Sequence, residues 1–145
     1  VGVGVDISTE ALKIAEENGQ NLKITDRVEW RQGDYLKAFD EEDIFDGIFS
    51  NPPYIPTKDI GGLSREVKHE PRLALDGGTD GLYFYHLLAK GAAEHLKPGG
   101  FLAVEFGIGQ ATDIVEMLRK SAQYEDFEVI KDYGGIERAL YCRKK

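Results

Sequence analysis

The 145-residue sequence predicts an α/β fold with a mostly parallel sheet and an antiparallel edge near the C-terminus. Three observations predict it. Short apolar runs alternate with longer stretches of helical spacing through most of the chain. Each run ends in a polar residue, Asp6, Asp34, Asn51 or Glu105, and in parallel sheets a ligand sits beyond such carboxyl ends. Finally, two strand-like runs at 127–131 and 138–142 follow each other without a helix between them, which calls for an antiparallel pair.

Val1, Val3 and Val5 alternate with Gly2 and Gly4 and read as a strand in which the glycines allow close packing. Ser8 is a helix cap, the helix running from about Thr9 to Asn18 with Leu12 and Ala15 inward and Gly19 as its stop. Val28 to Arg31 is a second strand, Asp40 to Asp43 a solvated acidic connection, and Asp46 to Ser50 a third strand halted by Asn51-Pro52-Pro53-Tyr54. Ile55 to Asp80 shows no period and reads as a long structured loop, a length usually kept for function. A helix is predicted from about Gly81 to Leu96, a tight turn at Lys97-Pro98-Gly99-Gly100, a strand from Phe101 to Val104 and a helix from Gln110 to Ser121.

Composition narrows the function. Hydrophobic residues make up 41% of the chain, enough for one core, and 18 basic against 26 acidic residues leave a net charge of −8. That charge disfavours a grip on a nucleic-acid backbone. No apolar run approaches a membrane span, no secretory signal is visible, and the single Cys142 excludes an internal disulfide. The balance predicts a cytoplasmic protein. His69, His86 and His95 lack ligand spacing, so no metal is expected.

Asp6 ends the first strand before a capped helix, where a carboxylate either accepts both hydroxyls of a ribose or stabilises the helix by about 0.3–1 kcal/mol. Gly2-x-Gly4 is not a dinucleotide fingerprint, because position 7 is Ile7 where the motif needs glycine. That motif's acidic residue follows its glycines by about 20 positions, so if Asp6 is that residue its glycine loop lies before Val1. Asp34 ends the next strand and suits an exocyclic adenine amine; on its own, Gly33-Asp34 is equally a turn.

Asn51-Pro52-Pro53-Tyr54 is the strongest signal. A planar amine or amide nitrogen is a reluctant nucleophile, so a site that alkylates it must hold both N–H groups and aim the nitrogen. The Asn51 side-chain carbonyl and the Pro52 carbonyl supply two acceptors, Pro53 fixes the direction of the second, and Tyr54 offers a flat face. Such alignment is worth roughly 7–11 kcal/mol. Glu70-Pro71-Arg72 and the block Asp76-Gly77-Gly78-x-Asp80-Gly81-Leu82 suit either a binding loop or an elaborate connection with Asp80 as a cap. Glu105, Gly107 and Gln110 stand at a strand end and helix start and read more readily as helix capping than as site lining. Asp132-Tyr133-Gly134-Gly135 reads as a hairpin turn, Arg138 as a solvated strand residue and Cys142 as a packing residue.

These motifs resemble the HemK/PrmC family of S-adenosylmethionine-dependent methyltransferases, which act on a glutamine side-chain amide in peptide chain release factors. The likeness runs from Val5-Asp6-Ile7-Ser8 through Asn51-Pro52-Pro53-Tyr54 and Glu70-Pro71 to Glu105-x-Gly107-x-x-Gln110 and Asp132-x-x-Gly135-x-x-Arg138. The resemblance implies a class I, Rossmann-like methyltransferase fold, S-adenosyl-L-methionine as cofactor and a release factor as protein partner. It implies that Asp6 holds the cofactor ribose with Ile7 beside it, and that Asp34 and Tyr35 lie at its adenine. Asn51, Pro52 and Tyr54 become the catalytic set, Asn51 touching the cofactor as well. Pro53, Glu70 and Arg72 complete the substrate contacts. Two rival readings are an adenine-N6 methyltransferase acting on DNA or RNA, which shares the four-residue motif, and a non-catalytic α/β binding module. The family's opening strand and glycine-rich loop should precede Val1, together with a helical N-terminal domain. Residues 1–145 are therefore expected to be the partial C-terminal methyltransferase domain of a longer polypeptide.

Overall fold

The computed structural model describes residues 1–64 and 67–145. Arg65 and Glu66, within the predicted long loop, lie outside the described residues. The chain forms two compact units, Val1–Asp43 and Ile44–Lys145.

In the first unit, strand β1 (Gly2–Asp6) pairs in parallel with β2 (Val28–Gln32), linked by helix α1 (Thr9–Asn21). The Ser8 hydroxyl caps α1 by accepting from the Ala11 N–H at 3.2 Å. The helix does not stop at Gly19. It runs on to Asn21, and the chain leaves it through Lys23, whose φ of 57° is left-handed. Gly19 is buried instead against the indole of Trp30, which also covers Gly4, where a Cβ would lie 2.4 Å from the ring. The acidic connection is not wholly solvated either. Asp43 pairs with Arg31, each side chain only about a fifth exposed, and Arg31 also bonds Glu29 at 2.7 Å.

In the second unit, β3 (Phe45–Ser50), β4 (Leu96–Glu105), β5 (Tyr124–Lys131) and β6 (Glu137–Lys144) form one sheet in the order β3-β4-β6-β5. Strands β3 and β4 are parallel, and β6 is antiparallel to both of its neighbours. Three of the four strands therefore run one way and only β6 is reversed. The predicted antiparallel hairpin forms the edge, with β5 outermost. Its turn is the expected one: the Asp132 N–H donates to Ile136 O at 2.8 Å, and the Gly135 N–H to Asp132 O at 2.9 Å.

Helices α2 (Arg72–Leu75), α3 (Tyr83–Gly91) and α4 (Ala111–Lys120) complete the unit. Helix α3 is shorter than predicted, because residues 92–95 tighten into a 3₁₀ turn before β4 begins at Leu96. The predicted turn at Lys97–Gly100 lies inside β4 as an irregularity. Pairing jumps from Phe45 opposite Leu96 to Gly47 opposite Phe101.

The sheet alternates as its period requires. Ile48, Leu102 and Cys142 lie in one row across β3, β4 and β6, and Val104 is opposite Leu140. All five are buried, as are Tyr85, Leu88 and Ala89 of α3 and Ile114 and Leu118 of α4. Each large apolar side chain so buried stabilises the fold by about 1.5–3 kcal/mol. Cys142 is a packing residue, as predicted. Among the described residues no helix is long and apolar enough to cross a membrane.

Candidate active site

Two groups of predicted residues lie at the carboxyl ends of strands, one in each unit. In the first unit, Asp6 ends β1 opposite Gln32 in the register, and Gly33 and Asp34 follow directly. The Gly33 N–H donates to Asp6 O at 3.0 Å, so the ends of the two strands are tied together. Asp6 is exposed; its Oδ1 accepts the Ser8 N–H at 2.8 Å. Ile7 beside it is 51% exposed, an apolar side chain left open to a planar ligand. The Asp34 carboxylate is half exposed and pairs with Lys37. Tyr35 has a φ of 61°, a left-handed conformation that costs a non-glycine residue energy and that clusters at binding sites.

In the second unit, the backbone leaves β3 at Ser50 and passes through Asn51-Pro52-Pro53-Tyr54. Asn51 is exposed, Pro52 buried and Tyr54 half-buried. The Asn51 side chain makes no hydrogen bond among the described residues. Two proline rings hold φ at successive positions, so this corner has few soft torsions.

Beyond the corner, Ile55 pairs with the Asp76 segment: its N–H donates to Leu75 O at 3.0 Å, and Gly77 N–H donates to Ile55 O at 2.9 Å. The Thr57 hydroxyl donates to Asp76 Oδ1 at 2.6 Å, and the Gly78 N–H to the same oxygen at 3.1 Å. These bonds hold the Asp76 carboxyl below the usual carboxylate range, the Thr57 hydroxyl contributing most. Asp80 is not the cap of α3: its carboxylate accepts the Leu82 N–H at 2.9 Å in the turn before the helix, whose N-cap is Leu82 and which has no side-chain cap bond.

Gln110 stands at the start of α4, but its side chain does not cap that helix. Its Oε1 accepts the Gly107 N–H at 2.8 Å, and its Nε2 donates to Tyr54 O at 3.0 Å and to Gly81 O at 3.3 Å. This corrects the capping expectation. Packing around the amide leaves no slack. A Cβ at Gly81 would lie 2.4 Å from Tyr54 O, and its φ of +78° already favours glycine. A Cβ at Gly107 would lie 2.9 Å from the Tyr54 ring.

An open cleft of about 420 Å³ lies against this cluster, with Tyr54, Asp59, Asp80, Ile108, Gln110 and Arg138 on its walls. Arg138 is not a freely solvated strand residue; it pairs with Asp132 at 3.3 Å. Glu70 and Arg72 are exposed and do not line the cleft, and Arg72 reaches Asp76 at 3.4 Å. The sequence marks Gln110 beside Glu105 and Gly107 but not its hold on Tyr54 and Gly81; a glutamine where Ser, Thr, Asp or Asn would cap a helix is the local sign of it.

The parallel strands with polar carboxyl ends and the reversed strand β6 make this a class I, Rossmann-like methyltransferase fold. Solved structures agree. The chain superposes on a methyltransferase from Pyrococcus furiosus with a TM-score of 0.70, at 24% identity, over 98% of this chain and 61% of that one. It also superposes on the [4+2]-cyclase SpnF with a TM-score of 0.60, at 14% identity, over 98% of this chain and 65% of that one. The second match shows that the fold alone does not name a reaction. The RMKL-like methyltransferase domain family matches residues 2–59.

The chain is homologous to release factor glutamine methyltransferases along nearly its whole length, which bears out the HemK/PrmC resemblance. It is 42% identical over 140 residues to the Moorella thermoacetica protein of that name, covering 97% of this chain and 49% of that protein. It is 46% identical over 144 residues to the Bradyrhizobium diazoefficiens protein, covering 99% and 48% respectively. The chain thus spans about half the length of the curated relatives it matches.

Proposed function

We propose that this chain is the catalytic part of an enzyme that methylates the side-chain amide nitrogen of a glutamine in a peptide chain release factor, with S-adenosyl-L-methionine as methyl donor. The observation that carries the reading is the proline-stiffened corner Asn51-Pro52-Pro53-Tyr54, whose first side chain is exposed and makes no hydrogen bond among the described residues while its last residue is tied down by Gln110.

The first unit fits the cofactor by its chemistry. Two exposed carboxylates stand at the carboxyl ends of adjacent parallel strands, Asp6 as the last residue of β1 and Asp34 two residues past β2: Asp6 has acceptor capacity for a ribose diol and Asp34 for an exocyclic amine. Ile7 and Tyr35 add apolar surface beside them. When bound, S-adenosylmethionine supplies an electrophilic methyl carbon to the amide nitrogen.

The remaining work belongs to this chain's own groups. The Asn51 side-chain carbonyl accepts one N–H of the glutamine amide and the Pro52 carbonyl accepts the other. Two acceptors at fixed angles define the plane of the carboxamide and the direction of its nitrogen lone pair. Tyr54 shelters that plane from water. The nitrogen gives up its proton to solvent once it has been alkylated, so no buried general base is required. Pro53 holds the corner, and Glu70 and Arg72, exposed and off the cleft, are assigned to contacts with the release factor outside it.

The test uses the full-length protein with labelled S-adenosylmethionine and three acceptors: a release factor, duplex DNA and ribosomal RNA. Label should enter the release factor, on a glutamine, and Asn51→Ala should remove most of it. Label in nucleic acid alone supports the adenine reading instead. Label in none of the three, or an Asn51→Ala variant of normal rate, overturns the proposal.

A further inference from the structure

We infer that Gln110 is a positioning residue for methyl transfer: its side-chain amide clamps the Asn51–Tyr54 corner in its reactive shape. The inference rests on the methyl-transfer reading and goes beyond it by assigning a function to a residue that holds the backbone of the corner.

An amide side chain offers one acceptor atom and two N–H donors on a single plane. Gln110 uses all three, and on three separate segments. The Gly107 N–H points at Oε1, while the carbonyls of Tyr54 and Gly81 point at Nε2. Tyr54 and Gly81 are 56 and 29 residues away in the chain. No other uncharged side chain of this length presents an acceptor and two donors in one fork. A carboxylate has only acceptors and would face two carbonyls; a lysine has only donors and would face an N–H.

The clamp reaches the chemistry through stiff backbone. Only Pro52 and Pro53 separate Tyr54 from Asn51, and both rings fix φ. Rotation of the Tyr54 peptide is therefore passed on to the Pro52 and Asn51 carbonyls rather than absorbed. On the other side Gly81 and Gly107 approach closely: a Cβ at Gly81 would lie 2.4 Å from Tyr54 O, and one at Gly107 2.9 Å from the Tyr54 ring, which would have to move. Gln110 acts on the acceptors through the Tyr54 backbone.

The experiment compares wild type, Gln110→Ala and Gln110→Glu in the full-length protein, measuring kcat and KM for release factor methylation from about pH 8 down to about pH 5.5, across the range where a raised carboxyl titrates. Gln110→Ala should lose about 100-fold in kcat, the cost of a misplacement near 1 Å, with KM and S-adenosylmethionine affinity within about twofold. Gln110→Glu should match it at the upper pH. Facing two carbonyl oxygens, its carboxyl titrates high. Once protonated it donates to Tyr54 O and still accepts from Gly107 N–H, so its rate relative to wild type should rise about tenfold as the pH falls, one of the two lost donors being restored. Asp59, Asp80 and Arg138 line the same cleft in both proteins, so the ratio to wild type cancels their titration.

A flat ratio overturns the inference, as does a Gln110→Ala variant with kcat within about twofold of wild type, well short of the misplacement cost. If Gln110→Ala loses its cooperative thermal transition, the Gln110→Glu ratio decides alone. A wild type active on release factor with normal Gln110 variants sinks only this inference. A wild type that transfers no methyl group to release factor sinks the methyl-transfer reading and the clamp with it.

Discussion

The Tyr85 hydroxyl donates to the Glu105 carbonyl at 2.7 Å, joining helix α3 to the last residue of β4. Tyr85 is 1% exposed, so this bond forms in the core and fixes where β4 ends, two residues before Gly107. Replacing Tyr85 with Phe should cost about 1 kcal/mol, the usual net worth of one such bond. Urea titration of wild type and Tyr85→Phe checks this; equal midpoints would show the bond contributes nothing.

Gly81→Ala should do more damage than its size suggests. The new methyl would sit 2.4 Å from Tyr54 O at a φ of +78°. Strain of this kind costs of order 1–3 kcal/mol. The expected result is a lower melting temperature together with a loss of methyl transfer larger than that of any Ala substitution at the solvent-facing Lys90. Thermal melts and initial rates on the same preparations measure both.

Asp6→Ala and Asn51→Ala should separate binding from chemistry. Asp6→Ala is expected to weaken S-adenosylmethionine binding by about tenfold or more, as loss of a charge-assisted pair of hydrogen bonds requires. Asn51→Ala should leave that affinity nearly unchanged while turnover falls. Titration calorimetry on both variants reads the first effect, and the release factor assay reads the second.

Acid should loosen the second unit through two carboxylates. The Ile136 N–H, followed by Arg138 and the Gly134 N–H, holds Asp132 below the usual carboxylate range, as the Thr57 hydroxyl does Asp76. A depressed folded pKa means stability that is present above the unfolded value, near 4, and lost as the pH falls through the folded one. Urea midpoints should therefore fall below about pH 4, and the fall should be shallower in Asp132→Asn and Asp76→Asn. Parallel acid limbs would contradict this.

Cys142 should be inert while the protein is folded. It is fully buried, and burial pushes its thiol up to about 12, so the reactive thiolate is suppressed at neutral pH. A thiol-alkylating reagent at about pH 8 should label it only at the rate of unfolding, followed by mass spectrometry across a urea series.

Much of this protein was determined by sequence alone. The strand–helix alternation, the Ser8 cap, the hairpin turn at Asp132–Gly135 and the polar strand ends Asp6, Asp34 and Asn51 are all set by neighbours within a few residues. Side-chain period, cap chemistry and proline geometry are local, so they can be read locally. The run of α1 past Gly19, the burial of Arg31 with Asp43, the four residues carried inside β4 and above all the grip of Gln110 on Tyr54 and Gly81 were decided only in three dimensions. Each depends on which distant segment arrives opposite, and that follows from how the whole chain closes its core rather than from any residue's own preference.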